Sequence, residues 1–491
     1  MLRKFYAKIA VALLALELVS WLGYNYEQFR NISLIVIVVL ILVISIKKLE
    51  YGVYAIIAEL VVGSHGYMLS IPIGSFNLSL RLALFLVVML AWLIDVARSK
   101  KIYFFHSQFW KWYVALITFL IIGVLVGYLM GNDLSNIFFD WNGYLFIGLI
   151  FPFTQAIRHR EQILKIIMVV FAGITILAMQ TLLILFLFSH QTSFQHYLPA
   201  LYQWIRDFRI GEITLKDNGF YRIFFQSHIY VIYALLLSLS FLLKKFRWEY
   251  FIFLEISITL IFLSYSRSFW VAILITLCGL ALFLIVKYRI SLKKVSLLYA
   301  SMLLLFCVGY LLVLGVVNVS LPGGSGSGVG ATSLLTERTQ DPTAEAGGGS
   351  RMALIKPLLE KNLEHPLLGS GFGTTVTYAT QDQRALENNP DGMYTTYAFE
   401  WGYLDMWLKL GVAGTAVYGI LILLLIVRGY EIATTESLAD RNIVFGIVFG
   451  LIALVVIHAL TPYLNHPLGI GWLLFTTVII DYYGKQQTTT S

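Results

Sequence analysis

Cysteine and charge are both scarce in this chain of 491 residues. The 2 cysteines, Cys278 and Cys307, lie inside apolar segments, so neither a disulfide framework nor a thiolate metal site is available. Charged residues make up 13% of the chain, whereas soluble domains usually carry about 25%. No group of His, Asp and Glu has the spacing of metal ligands. The sequence therefore predicts no metal site and argues against a soluble domain.

Apolar residues, in contrast, make up 59% of the chain and recur in runs of about 15–25 residues almost from end to end. As a helix, each run is long enough, or nearly so, to cross a hydrocarbon core of roughly 30 Å. These runs exclude a secreted, cytosolic or nucleic-acid-binding protein, and the net charge of +8 arises from short basic clusters between them. The first run contains Glu17 and lacks a small-residue cleavage site, which indicates a first span and not a signal peptide.

The predicted fold class is an all-α, polytopic integral membrane protein with about 12–14 transmembrane helices and a large extracytoplasmic loop that contains short helices. The candidate spans start near residues 9, 32, 53, 78, 112, 144, 163, 229, 250, 269, 297, 403, 443 and 467.

Lysine and arginine are concentrated on alternate connections between these spans. The positive-inside rule makes those connections cytoplasmic, together with both termini. Two long connections then fall on the outer side. The predicted organisation is N-terminal spans, an extracytoplasmic loop, central spans, a large extracytoplasmic catalytic loop and C-terminal spans, with boundaries at 1–188, 189–228, 229–318, 319–400 and 401–491.

Each long loop contains an amphipathic pattern. Apolar residues between Tyr197 and Phe208 recur at helical spacing, which predicts a helix lying in the outer interface. The second loop opens with Gly- and Ser-rich sequence typical of a mobile tether. A second helix should follow over Met352–Leu363, with Pro357 near its start.

Four arginines on the predicted outer side are candidates for binding a phosphate group: Arg222, Arg267, Arg338 and Arg351. A guanidinium gives permanently charged, bidentate contacts to phosphate oxygens, so together they could hold a pyrophosphate. The alternative is that each side chain reaches lipid headgroups or pairs with a nearby acid.

Glu400 ends the large loop and is the candidate general base, because a carboxylate beside a basic pocket could take the proton of a sugar hydroxyl. Its alternative role is that of an acid stabilised at a helix N-terminus. His228 and His365 are candidate accessory residues, although His365 precedes a proline and could simply shape a turn. Tyr403 could stack on a sugar or belong to an interfacial aromatic belt. Weaker candidates are Asp140 and Asp391.

Glu17, Glu59, His65 and Glu255 fall within or near spans. Ionisable residues there raise the hypothesis of a proton path, but the four lie on different spans without aligned spacing, and helix–helix hydrogen bonding is an equal alternative. The segment Gly369–Gly373 reads GSGFG, yet no strand precedes it, so we do not interpret it as a nucleotide loop.

Three segments together resemble a known family. The stretch from Arg351 through LEHPLLGSGFG to YLDMWLKLGVAG is similar to the large-loop signature of the O-antigen ligase and O-antigen polymerase family. SYSRSFW resembles the family's Ser-Arg pair at a span end, and YRIFFQSH resembles its Arg-containing approach to a span. The similarity covers roughly residues 220–420.

The resemblance implies a metal-independent, inverting glycosyltransferase on the outer face of the bacterial inner membrane, without a cofactor. Its donor would be a glycan on polyprenyl pyrophosphate. Arg222, Arg267 and Arg351 would hold the leaving pyrophosphate, and a base, here Glu400, would activate the acceptor hydroxyl. The partners implied are the lipid-linked oligosaccharide and membrane lipid, with a chain-length regulator as a further partner and no nucleic acid.

One departure from the family pattern bears on the acceptor. Ligases of this family characteristically carry a His at the position of Glu400. The change favours a polymerase, whose acceptor is a second lipid-linked repeat unit, over a ligase that transfers the glycan to lipid A–core. A flippase or other transporter of lipid-linked sugars is the alternative from a different class.

Overall fold

The structure is a computed structural model, which describes residues 2–74, 76–216, 218–321, 326, 346–380, 386–387, 389, 391–435 and 440–490. The α-helices of these residues are α1 (Leu2–Asn25), α2 (Glu27–Lys47), α3 (Leu49–Val62), α4 (Leu80–Ser99), α5 (Trp110–Leu129), α6 (Leu134–Trp141), α7 (Ile150–Ala156), α8 (Arg160–Ser189), α9 (Gln191–Phe194), α10 (Leu198–Asp207), α11 (Ile229–Lys244), α12 (Trp248–Ser264), α13 (Arg267–Tyr288), α14 (Leu292–Asn318), α15 (Ala346–Glu364), α16 (Gly402–Ala433), α17 (Arg441–Leu460) and α18 (Pro467–Thr490). Short 3-10 helices lie at Tyr103–His106, Asn142–Leu149 and Gln226–His228.

The chain is an all-α polytopic membrane protein, as the hydropathy pattern predicts. In the part of the chain that the structure describes, 11 helices are long and apolar enough to cross a membrane. A helix lies at or within two residues of every one of the fourteen predicted span starts. Three of the fourteen predicted spans are not among these 11 helices. They correspond to α18 and to two short helices, α3 with 14 residues and α12 with 17 residues.

Contacts at the helix termini divide the molecule into two ends. The ion pairs Arg3–Glu249 and Arg160–Asp440 join the connections rich in Lys and Arg, as does the Gln108 amide, which donates to Asp481 Oδ1 at 2.9 Å. We call this the basic end. The opposite end carries Ser64–Ser79, residues 190–228 and the segment before α16, and we call it the loop end. Both described termini lie at the basic end. The connections rich in Lys and Arg therefore lie together at one end of the molecule. Which side of the membrane this end faces stays a prediction.

The short helices also join the two ends. Helix α3 begins beside Glu50, which accepts a hydrogen bond from Gln162 at the basic end. The residue after its C-cap, Ser64, donates its amide to Ser227 Oγ at 2.9 Å at the loop end. The neighbouring helices, not the length of α3 itself, therefore set its position.

Helix α11 is the centre of the core, since its residues from Ile229 to Ser240 are all buried. It packs chiefly against α17 and α12. Trp472 of α18 is fully buried and meets Tyr233 of α11 edge-on, with 4.8 Å between ring centroids. Peripheral helices such as α13 and α14 expose large apolar side chains, as expected of lipid-facing surface.

In the described part of the chain, three two-stranded antiparallel hairpins lie at the loop end, and the sequence did not predict them. They are β1 (Ser70–Ile73) with β2 (Phe76–Ser79), β3 (Glu212–Leu215) with β4 (Tyr221–Phe224), and β5 (Val376–Ala379) with β6 (Met393–Thr396). Each strand has 4 residues, too few for a clear alternating pattern.

Of the two predicted loop helices, the first is confirmed as α10. The second is longer than predicted, and the position of its proline was predicted wrongly. Helix α15 begins at Ala346, so Pro357 lies inside it and not near its start. The Gly- and Ser-rich opening of the second loop, which predicts a tether, lies almost entirely outside the described residues, whereas the glycines just before Arg351 belong to the first turns of this helix.

Candidate functional site

The Gly-rich segment Gly369–Gly373 inserts where α16 is broken. Gly411 has φ 67 and ψ 177, which interrupts the helix and frees its backbone groups. Ser370 then donates its amide to the carbonyl of Leu408 at 2.7 Å, and Val412 donates to Pro366 O at 2.8 Å. The inserted segment thus satisfies backbone groups that a break inside a membrane helix would otherwise leave unpaired.

The glycines of this segment are required by conformation and by close approach. Gly369, Gly371 and Gly373 all have φ between 75 and 79, a region that side chains disfavour. A Cβ on Gly371 would lie 2.1 Å from the amide nitrogen of Gly127 in α5. The motif therefore packs backbone against backbone.

A buried charge network lies directly beneath this segment. Lys409 of α16 pairs with Asp140 of α6 and, at 2.5 Å, with Asp405. Asp140 also accepts the amide of Gly373 at 2.9 Å, and Asn465 donates to Asp405 at 2.7 Å. The network ties four segments of the chain to one ammonium group. Asp140 was a weak candidate from sequence; the i, i+4 spacing of Asp405 and Lys409 was the overlooked signal.

Above the network, the structure brings Arg351 and Glu400 together as an ion pair, although they are 49 residues apart. Trp401 Nε1 donates to Arg351 O at 2.9 Å. A small apolar cluster holds α15 against α16 here, formed by Leu354, Leu358, Val376, Phe399 and Leu408. Both charged side chains stay about half exposed, at 45% and 51%.

Arg222 and Arg267 approach one tight turn at the end of α12. Arg222, on β4, donates Nε to the carbonyl of Ser264 at 2.9 Å and lies over the ring of Phe224. Tyr265 has φ 51, and this left-handed residue reverses the chain so that Arg267 begins α13 two residues later. The turn therefore puts Arg267 three residues after Ser264, the residue whose carbonyl Arg222 contacts. Glu212, 3.6 Å from Arg222, is its acidic neighbour.

The end of α17 connects these two pairs. Thr461, just after α17, donates to Ser268 Oγ at 3.1 Å, next to Arg267. On its other side, α17 packs so closely on the start of α16 that a Cβ on Gly402 would meet His458 O at 2.2 Å. The Arg351–Glu400 pair and the Arg222–Arg267 turn thus flank one helix end.

The remaining predicted site residues have structural contacts. His228 is fully buried; its Nδ1 accepts the Phe225 amide at 3.3 Å and its Nε2 meets Thr181 Oγ1 at 3.2 Å. His365 is exposed in the turn after α15, and its carbonyl accepts the amide of Gly369. Tyr403 Oη donates to Val455 O at 2.8 Å.

Two further predicted residues lie in the large loop. Asp391 Oδ1 accepts the amide of Met393 at 3.1 Å, within the turn before β6. Arg338, the fourth arginine of the predicted phosphate-binding set, lies outside the described residues.

The intramembrane acids are separated among different helix contacts. Glu17 of α1 accepts from Gln180 of α8 at 3.2 Å, and Glu255 accepts from Thr259 at 3.4 Å beside Gly309 of α14. Glu59 of α3 pairs with Arg81 of α4 at 2.8 Å. The contacts of Glu17 and Glu59 each join two helices, whereas the hydrogen bond of Glu255 lies within α12, and the three do not form one route. Arg81 was not singled out from the sequence. No group of three or more His, Cys, Asp or Glu among the described residues could hold a metal.

Comparison with protein families identifies one match. The model of the family described as O-antigen ligase matches residues 251–419, about a third of the chain. The matched segment contains Arg267, Arg351, the Gly-rich segment, Glu400 and Lys409. It supports the O-antigen ligase and polymerase family and, at that level, glycan transfer, without separating polymerase from ligase. No curated protein matches the chain.

Proposed function

We propose that this protein is a glycosyltransferase that polymerises oligosaccharide repeat units carried on polyprenyl pyrophosphate. Its loop end faces the outside of the bacterial inner membrane, and both termini are cytoplasmic, as the distribution of Lys and Arg indicates. The observation that carries the proposal is the meeting of Arg351 with Glu400 beside the Arg222–Arg267 turn. In this proposal, a carboxylate and three guanidinium groups act around the end of α17.

In this mechanism Arg222 and Arg267 bind the donor's pyrophosphate. The bond between the sugar's anomeric carbon and the phosphate oxygen breaks, and polyprenyl pyrophosphate leaves as an anion that needs no proton. Fixed cations at the leaving group stabilise the charge that develops there. The acceptor hydroxyl attacks the opposite face of the sugar, which inverts the configuration, and Glu400 receives its proton.

Arg351 positions the base in this scheme. Its ion pair fixes the Glu400 carboxylate at the start of α16. To give its proton to Glu400, the acceptor hydroxyl must then take the place of Arg351 at one carboxylate oxygen. Because the pair is about half exposed, a substrate entering from the loop end can reach it.

A ligase that moves the finished glycan onto lipid A–core is the second candidate. The matching family model is itself described as a ligase, and the same arginines would serve its donor. Glu400 in place of the histidine characteristic of ligases favours the polymerase. A transporter is less well supported, because Glu17, Glu59 and Glu255 sit in three separate helix contacts.

The proposal is tested with purified protein in liposomes that contain lipid-linked oligosaccharide, without metal or nucleotide. Wild-type protein should produce a ladder of glycan lengths on a gel. Glu400→Gln should abolish it, since removal of a general base costs roughly 10²- to 10⁴-fold. Arg267→Ala should also abolish it, because it removes a fixed cation from the leaving group.

Two exposed residues supply matched controls. Glu360→Gln removes a carboxylate of α15 whose ion pair to Lys356 is 4.0 Å long, and Arg206→Ala removes a guanidinium of α10. Both should keep the ladder. A ladder that survives Glu400→Gln would overturn the assignment of the base, and transfer only to added lipid A–core would favour the ligase.

A further inference from the structure

Arg81 is a buried cation at the loop end whose side chain is only partly used. It lies at the start of α4, and its residue is 4% exposed. Nε donates to Glu59 Oε2 at 2.8 Å. Both terminal nitrogens, Nη1 and Nη2, are buried and have no hydrogen-bond partner among the residues that the structure describes. Two nitrogens with four N–H groups therefore lack an acceptor there.

A buried guanidinium with unsatisfied donors costs free energy unless an acceptor meets it. Two terminal nitrogens of one arginine form a fork that matches two oxygens of a phosphate. The free fork of Arg81 is thus suited to an oxyanion. The close packing of Gly66, where a Cβ would lie 2.8 Å from the Arg81 Cβ, holds the side chain in place.

The charge of Arg81 acts on two histidines, His65 and His466. The rings of His65 and His466 meet edge-on with centroids 6.1 Å apart. Burial lowers the pKa of each, and the charge of Arg81 lowers it further, so both rings are neutral near pH 7. His466 Nδ1 accepts the amide of Leu468 at 3.3 Å, which leaves Nε2 with the proton. A neutral ring of this tautomer adds a donor for an anion without adding charge.

The charge balance of this cluster is positive. Arg209 acts electrostatically on His65 and lies over the ring of Tyr67, 5.3 Å from its centroid. Glu59 is the one carboxylate in contact with Arg81 among the described residues. Two guanidinium groups thus face one carboxylate, with both histidines neutral. The surroundings favour a bound anion.

One short connection separates this cluster from Arg222. Tyr463, between α17 and α18, donates Oη to Gln226 Oε1 at 3.0 Å and interacts electrostatically with Arg222. Three residues later in the chain, His466 interacts electrostatically with Arg81. Arg81 and Arg222 therefore lie on opposite sides of the connection between α17 and α18.

We propose that Arg81, with His65 and His466, forms a second oxyanion site that holds the pyrophosphate of the acceptor lipid, while Arg222 and Arg267 hold that of the donor. This inference rests on the proposed polymerase function. Such an enzyme must hold two lipid pyrophosphates at one membrane face, and two anions of that charge require separate cations.

Three variants separate this role from a structural ion pair. Glu59→Gln/Arg81→Gln removes both charges at once and so leaves no unpaired buried ion. Glu59→Gln alone keeps the fork and removes the carboxylate that competes with a phosphate. Arg206→Gln, in an exposed pair with Asp207, is the control.

The first measurement is the number of polyprenyl pyrophosphate molecules, without glycan, that bind to purified protein in detergent, read by native mass spectrometry. Wild type and Arg206→Gln should each bind two equivalents of the lipid. Glu59→Gln should also bind two, one of them more tightly than wild type does. The double variant should bind one. Loss of a charged hydrogen bond predicts roughly a ten- to hundredfold weaker second site. Polyprenol of the same length, the uncharged control, should occupy neither site.

One equivalent in wild type, or two of unchanged affinity in the double variant, would overturn the proposal. This measurement needs no turnover, so two equivalents without polymer would sustain the site while the proposed function fails. Kinetics supply the second readout. The double variant should raise the KM for an acceptor lipid. It should leave unchanged the KM for a donor lipid whose own accepting hydroxyl is blocked. A rise in KM confined to the donor would refute the assignment.

Discussion

At the scale of single residues, the loop end depends on groups that tolerate little change. The glycines of the inserted segment have no room for a side chain, Lys409 neutralises two buried carboxylates, and neutral histidines lie beside Arg81. Each of these features follows from burial: a buried charge must be paired, and a left-handed backbone in contact with another backbone must be glycine.

Gly371→Ala should destabilise the protein strongly, because its Cβ would lie 2.1 Å from the amide nitrogen of Gly127. We expect a loss of about 3 kcal/mol or more, beyond the usual range for one substitution. Gly131→Ala is the matched control, since Gly131 also has a positive φ of 77 but nothing within 4 Å of a Cβ. Thermal unfolding in detergent measures both, and equal shifts in Tm would contradict the account.

Lys409→Met should cost about 3–5 kcal/mol of stability, because it leaves Asp140 and Asp405 buried without their cation. The triple variant Lys409→Met/Asp140→Asn/Asp405→Asn should recover most of the loss. Lys356→Met, at an exposed and 4.0 Å long pair, should change Tm little. Failure of the triple variant to recover would show that packing, and not charge, sets the cost.

Stability should also depend on pH through His65. Burial, with the charges of Arg81 and Arg209, lowers the pKa of His65 to about 4, while an unfolded histidine titrates near 6.5. Between these values the unfolded chain binds a proton that the folded chain does not, so stability is lost as the pH falls from about 6.5 towards 4.

Tm measured across this pH window tests the effect of His65. His65→Gln should show a smaller decrease than wild type, and His196→Gln, at an exposed histidine, should decrease as wild type does. Identical pH profiles for wild type and His65→Gln would contradict the assignment.

At the scale of elements, long apolar runs were enough to predict the helices, because a membrane allows few alternatives to a helix. The hairpins escaped prediction, since four-residue strands show too short a pattern. Sequence also placed Arg222, Arg267, Arg351 and Glu400 in candidate roles, but the pairing of Arg351 with Glu400 depends on how α15 docks on α16. Arg81 was missed because its partner Glu59 lies on another helix and its burial depends on tertiary packing.

The hairpin β3–β4 positions Arg222, which pairs in register with Thr214. Arg222→Ala should reduce turnover by roughly ten- to hundredfold through loss of one charged contact to phosphate. Arg222→Lys should recover only part, because an ammonium lacks the bidentate fork. Thr214→Val, on the opposing strand, should keep turnover. Full activity of Arg222→Ala would remove this arginine from the site.

At the scale of the whole molecule, helices of very different length connect one basic end to one loop end. The family match covers α12 through the first half of α16, and the structure adds elements outside it: β4 brings Arg222, α4 brings Arg81, and the turn before α18 brings Tyr463 and His466. Residues from both halves of the chain thus surround the end of α17. In the proposed reaction, the two lipid-linked glycans meet at this helix end.

The most direct test of this account follows one transfer between two distinguishable lipids. The donor is a lipid-linked repeat unit whose accepting hydroxyl is blocked, and the acceptor is a unit on a non-cleavable phosphonate analogue of the lipid. The account predicts a dimer on the acceptor lipid, with one polyprenyl pyrophosphate released for each bond formed. Release without a dimer, transfer only to lipid A–core, or movement of intact substrate between leaflets would contradict it.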